Sequence, residues 1–441
     1  MSAHPQTVNE AELLLQMKHA WGDPPVLAAW NWSAATSAAG AHCRWPYVRC
    51  DSTGSVTSLA LSNINITGPV PDAVGGLSSL TSLDLSNNSI IGAFPKALYR
   101  CTSLRYLNLS ENYLAGALPR DIGHGLAANL SRLDLSWNKF NGTIPESLSQ
   151  LRNLRYLALD NNGLVGAIPA EFGELTSLQT LWLATNPFEP GELPASFKNL
   201  THLVILDACC CNLVGAFPSY LTKMLQLEEL YLRDNSLIGA IPPGIWDLKN
   251  PQILEVQRNN LTGNVVIDGF AALSFTVIDL AHNKLTGTIP EVFGRLKNLT
   301  YLVLYGNNFS GEIPMSITNC AILEVLYLGD NKLSGEIPKG LCVGNKLWYL
   351  NISRNSMNGS IPIDLAGCAT LEHIINLEQN EQMKDISWGS LPRKGGPIQQ
   401  VLRDVAMSYE MQRTLKIEKR KQNEHQTCTG QLRLCFCPIL G

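Results

Sequence analysis

Cysteine and histidine are the side chains here with the widest chemical range, and their spacing decides what that range could be. Cys209, Cys210 and Cys211 stand together, a cluster that could serve thiol exchange or a soft metal. The better reading is small residues filling repeat positions, with Cys211 inward, Cys209 outward and Cys210 at the strand edge. Cys428, Cys435 and Cys437 gather near the end of the sequence, without the second pair that a zinc site needs. Cys43 and Cys50 bracket Trp45 and Val48. In an oxidising compartment they read as a disulfide, with a metal pair or free thiols as the alternatives. The 8 histidines are scattered, and His282 reads as a contact residue because no partner accompanies it to make it a base. The sequence contains no HExxH, no GxSxG, no phosphate loop and no VAIK, HRD and DFG set. No active site, metal or cofactor follows from these residues, and the expectation is a protein that binds without catalysis.

The elements that position these residues are set by a repeat. Gly68, Gly92, Gly116, Gly142, Gly166, Gly191, Gly215, Gly239, Gly263, Gly287, Gly311, Gly335 and Gly359 recur with a spacing close to 24 residues. An asparagine stands four residues before most of them, as at Asn88, Asn112, Asn307 and Asn355; Asn186 stands five before, and Ile64 and Cys211 replace it in two copies. Aliphatic residues stand three and five positions before the asparagine, and Ile-Pro or its equivalent follows the glycine. The alternating pair predicts a short strand with both aliphatics inward. The asparagine turns inward to satisfy buried backbone groups. Glycine supplies an unusual backbone angle, and proline fixes φ. One such unit cannot bury its own apolar face. Stacking the copies buries each leucine for roughly 1.5–3 kcal/mol and builds one continuous core. The prediction is an α/β solenoid of about 13 coils with a parallel sheet along its concave side.

Composition fits this uniformity. Hydrophobic residues make up 45% of the 441, charged residues only 16%, and the net charge of −4 argues against nucleic acid or an anionic membrane as the main partner. No run of about 20 apolar residues occurs to span a bilayer, and the N-terminus lacks the pattern of a secretory signal. Three regions follow: residues 1–56 as a cap with an amphipathic helix over Leu13–Lys18, 57–380 as the repeats, and 381–441 as an irregular tail. That tail carries a basic run from Lys416 to Lys421 and one short helical pattern at Ile398, Val401, Leu402 and Val405.

Positions two, four and six before each asparagine face outward, and the residue just before it lies at the edge. In the middle copies these are Trp182, Tyr231, Arg233, Asp234, Glu255, Gln257, Arg258, Asp279, His282, Tyr301, Tyr305, Tyr327, Asp330 and Tyr349. Aromatic and arginine side chains carry most hot-spot energy, so this strip is the expected ligand track. N-x-S/T acceptors for glycans occur at Asn31, Asn65, Asn87, Asn108, Asn129, Asn141, Asn199, Asn260, Asn298, Asn308, Asn351 and Asn358.

Residues 8–380 resemble the ectodomains of plant leucine-rich-repeat receptor-like kinases, and among them the HAESA-like group. The segments LLLQMK, LAAWN and CRWPYVRC, and the recurring LTGxIP phrase, carry the resemblance. Tyr47 stands where that family has glycine. The resemblance implies a right-handed leucine-rich-repeat superhelix at the cell surface that binds a secreted peptide or protein and recruits a leucine-rich-repeat co-receptor kinase. Family members continue into a membrane helix and a kinase. They also hold the peptide carboxylate with an R-x-R strand, which is absent here; the corresponding stretch, Leu371–Leu377, reads LEHIINL. An alternative from another class is an extracellular inhibitor of pathogen cell-wall hydrolases, similar to the polygalacturonase inhibitors.

Overall fold

The computed structural model describes residues 9–32, 40–267, 269, 273–366, 368–371 and 373–375. The expectations for the tail fall outside these residues. The chain divides into two compact units, Met1–Ser236 and Leu237–Gly441.

The first unit opens with the helix Glu10–Ala20. It carries Glu10 and Glu12 in its first turn and Lys18 and His19 in its last, an order that favours the helix dipole. Ala11, Leu14 and Met17 face inward at three-residue steps and are buried. Two indoles then lock the cap: Trp30 stacks on Trp45 at 5.9 Å and donates to the Pro46 carbonyl at 2.9 Å. Cys43 and Cys50 are joined in a disulfide, with their Cα atoms 5.5 Å apart. Tyr47 lies in the left-handed region at φ 69°, the conformation glycine adopts without strain.

Behind the cap, three-residue strands repeat in exact parallel register. Leu83, Leu107, Leu133, Leu157, Leu181, Leu206 and Leu230 pair in one line across the sheet, and all are buried. Most coils then run through a proline into a single 3-10 turn, as at Pro95 before Lys96–Arg100 and Pro169 before Ala170–Glu174, while one carries the short α-helix Ile122–Gly125 instead. Those turns bury Leu98 and Phe172 against the strands from behind. A second, narrower parallel sheet runs along the flank through Thr67–Gly68, Ser89–Gly92, Tyr113–Ala117, Lys139–Thr143 and Gly163–Val165. The second unit repeats the plan, with Leu254, Ile278, Leu302, Leu326 and Leu350 in line.

The asparagines do what their position predicts. Asn112 donates through Nδ2 to the carbonyls of Leu85, Leu109 and Ser110 at 2.9, 3.2 and 3.1 Å, and its Oδ1 accepts the Ile90 N–H at 2.9 Å. Asn307 makes the same four bonds in the second unit. Cys211 reproduces only part of this, its thiol lying 3.4 Å from the Leu183 carbonyl and 3.3 Å from that of Cys209. The neighbouring coil compensates, for the Phe188 N–H turns to its own Asn186 carbonyl at 2.9 Å. In that irregular coil, which carries Pro187 and Pro190, Gly191 alone of the thirteen repeat glycines is not left-handed.

Candidate functional site

Strand alternation places one row of side chains of each coil outward on the sheet, and parallel register sets equivalent positions side by side, about 4.8 Å apart. Every outward side chain therefore meets its counterparts in the neighbouring coils, and the sequence of the row decides the chemistry of the face.

In the second unit aromatic residues run diagonally across the face, with Tyr305, Tyr327 and Tyr349 standing two, four and six residues before their asparagines. The rings of Tyr305 and Tyr327 lie 4.4 Å apart, those of Tyr327 and Tyr349 5.5 Å apart, and His282 meets Tyr305 edge-on at 4.9 Å. Such pairs add about 0.5–1.5 kcal/mol each beyond their burial. Trp348 extends the cluster to Tyr349 at 5.7 Å. Tyr301 turns aside, its hydroxyl donating to Glu324 at 3.4 Å. Of the strip expected from sequence, the structure thus brings together His282, Tyr305, Tyr327 and Tyr349.

Other members of the strip sit differently. Trp182, Tyr231, Asp234, Gln257, Arg258, Asp279, Tyr301, Tyr305, Asp330 and Tyr349 are half-buried and His282 is exposed. Arg233, Glu255 and Tyr327 are buried, which corrects the expectation that they are open contact residues. Tyr327 is covered by its two tyrosine neighbours. Arg233 folds over the preceding coil, its Nε donating to the Cys209 sulfur at 3.3 Å. That contact also corrects the outward reading of Cys209, which is fully buried. The Glu255 carboxylate accepts from Gln257 at 3.4 Å. Asp234, Arg258, His282 and Asp330 all have φ between 52° and 56°, so the edge position is a left-handed turn out of the strand.

The first unit carries a cluster that the sequence reading passed over. Tyr106, Arg132 and Tyr156 are cross-strand neighbours. The Arg132 guanidinium lies 3.4 Å from the centre of the Tyr156 ring and 5.5 Å from that of Tyr106. Its Nη2 meets Asp134 at 3.3 Å. The Tyr156 hydroxyl donates to Asp134 at 3.2 Å and that of Tyr106 to Asp84 at 3.3 Å. Burial, then the Asp84 charge, raises the Tyr106 phenol above its ordinary value. Trp182 closes the group edge-on to Tyr156 at 5.2 Å. The signal was available, since Tyr106, Arg132 and Tyr156 each stand six residues before a repeat asparagine. Further along, Glu229 is held above the usual carboxylate range by burial, against the opposing bond from Tyr231 at 2.9 Å.

Cys101 and Cys320 are buried and their thiols pushed up to about 11, so both stay protonated at neutral pH. His42 approaches Cys43 and Cys50 closely enough to suggest a metal, but both sulfurs are spent in the disulfide. A second disulfide joins Cys342 to Cys368; sequence reasoning missed it. Among the sequons, Asn31, Asn65, Asn87, Asn129, Asn141, Asn199, Asn298 and Asn308 are exposed, and Asn260 and Asn358 half-buried. Asn108 and Asn351 are buried, with Oδ1 accepting the N–H of Ser110 and of Ser353; these two are corrected as glycan sites of the folded chain.

This architecture is that of a plant-type leucine-rich-repeat protein. The leucine-rich-repeat N-terminal domain matches residues 9–51, the leucine-rich repeat 54–114 and 274–333, and a leucine-rich-repeat region 129–239. The fold is similar to that of the Arabidopsis receptor kinase HAESA, solved with the peptide hormone IDA and the co-receptor SERK1. The TM-score is 0.74 and the identity 35%, over 83% of this chain and 65% of that one. The structure of a TDR receptor is similar with TM-score 0.67 and 32% identity, over 72% and 54%. Receptor-like kinase TMK2 of Arabidopsis thaliana is 39% identical over 79 residues, 17% of this chain and 9% of its own length. The chain therefore covers less than two thirds of each of these relatives. Among the described residues no helix is long and apolar enough to cross a membrane.

Proposed function

We propose that this chain is the ligand-binding part of a plant cell-surface receptor, acting outside the cell without catalysing a reaction, and that it takes a secreted peptide or protein on its sheet face. The observation that carries this reading is the ring series His282, Tyr305, Tyr327 and Tyr349. It gives a continuous aromatic track, stepped at the strand spacing, along which an extended peptide can lay successive side chains. Similarity to HAESA, solved with a peptide hormone and a co-receptor, supports both a peptide ligand and a leucine-rich-repeat kinase as second partner. A test is to pan a displayed peptide library on the whole chain and measure retained peptides by calorimetry. Tyr305→Ala and Tyr349→Ala should each weaken binding about tenfold, the scale of an interface hot spot. Peptides whose affinity ignores both substitutions would exclude the track as the site.

A second reading, inhibition of pathogen cell-wall hydrolases, is favoured by one observation. Cys342 and Cys368 staple two successive coils together, and inhibitors of that type close their repeats with a cysteine-bonded cap. Loss of polygalacturonase activity on adding the chain would select this reading over the receptor.

A further inference from the structure

We infer that the first unit carries, beside the Tyr106–Arg132–Tyr156 cluster, a cationic docking patch for an acidic peptide segment, formed by Arg105, Arg132 and Arg155. This deepens the peptide-binding reading and rests on it. Arg105 and Arg155 immediately precede the strands Tyr106–Asn108 and Tyr156–Ala158. Ser131, between them, donates its N–H to the Arg105 carbonyl at 2.8 Å, and its carbonyl accepts the Arg155 N–H at 2.8 Å. The two arginines are therefore aligned two coils apart, on the order of 10 Å at the strand spacing.

Their charge is uncommitted. Both are exposed, and neither has an ion-pair or hydrogen-bond partner for its side chain among the described residues. The carboxylates nearest the cluster are already occupied. Asp84 takes the Ser86 N–H and hydroxyl and the Tyr106 hydroxyl. Asp134 takes the Ser136 N–H and hydroxyl, the Tyr156 hydroxyl and Arg132. Asp160, paired with Asn161 at 2.9 Å, lies at the opposite end of its strand. Arg152 is held by Glu174 at 2.9 Å. Two free guanidinium forks thus flank a third that is fixed in place by an aromatic ring, an arrangement that favours carboxylates through charge-assisted, bidentate bonds. In a polyproline II segment, residues three apart share a face and lie about 9 Å apart. The spacing therefore fits a ligand with two acidic residues separated by two others.

The test compares a Glu-Pro-Pro-Glu peptide with its Gln-Pro-Pro-Gln counterpart, both titrated onto the whole chain at low and physiological salt. The acidic peptide should bind at least about tenfold more tightly, and more so at low salt. The double variant R105Q/R155Q should abolish that preference with an unchanged melting temperature, whereas R105K/R155K should keep part of it. Equal binding of the two peptides, or a preference that survives R105Q/R155Q, would overturn the inference. Tighter binding of trigalacturonate than of the acidic peptide would also overturn it, by assigning the patch to an acidic polysaccharide. Library peptides that need Tyr349 but ignore R105Q/R155Q overturn the patch and leave the aromatic track standing. If panning retains no peptide at all, both readings fall.

Discussion

Both units carry tyrosines on outward positions of the sheet, at one repeat position in the first (Tyr106, Tyr156) and stepped diagonally in the second (Tyr305, Tyr327, Tyr349), and the rings do different work. In the first unit Tyr156 and Tyr106 lie against a cation and spend their hydroxyls on Asp134 and Asp84. In the second, Tyr305, Tyr327 and Tyr349 lie against one another. A tyrosine in a parallel stack is thus defined by the residue one coil away. Where that neighbour is arginine with a buried acid behind it, the row is fixed and charged; where it is another ring, the row is an apolar strip with polar tips.

Substitutions at the centre of each row should separate the two most sharply. Tyr327→Ala removes a buried ring from between two others and should cost about 3 kcal/mol of stability in urea unfolding, the scale of a large core truncation. A cost under about 1 kcal/mol would mean the ladder is only surface stacking. Asp134→Ala in the first unit strips four groups of their acceptor and should cost about 2 kcal/mol. It should also free Arg132, making binding of the acidic probe peptide stronger; unchanged stability would show that the acid is not what holds the row.

A smaller effect tests the acid further along the first unit. Burial raises the folded-state pKa of Glu229 above its ordinary 4.5, so the folded chain holds this proton more tightly than the unfolded one. Its ionisation therefore lowers stability as pH rises from about the unfolded value through the folded one. Glu229→Gln should flatten that part of the melting-temperature profile while leaving the acid end unchanged. A profile identical to the parent's would place the pH dependence elsewhere.

Much of this was legible from the sequence, for mechanical reasons. The glycine period fixed the stacking, alternation fixed which residues point out, and the ladder role of Asn112 or Asn307 follows from an amide that both donates and accepts. Alternation says nothing, however, about where a long side chain ends. Arg233 begins on the outward side and finishes buried over Cys209, and Tyr327 is buried between two neighbouring rings. The Cys342–Cys368 pair escaped for a related reason. Cys101, Cys320 and Cys368 share one repeat position, whereas Cys342 stands two residues ahead of it, so a search at the repeat period does not align the partners. Tyr106, Arg132 and Tyr156 were equally legible, because they occupy the same offset as Tyr301 and Tyr349.

The asparagine bonds also set an order of events during synthesis. Asn112 bonds the Leu85 carbonyl and the Ile90 N–H, both in the coil made before it, and Asn307 does the same for Leu280 and Leu285. Each coil is completed only when its successor leaves the ribosome. A pause in translation anywhere in the repeats would expose the backbone groups of one coil, whatever the length already made.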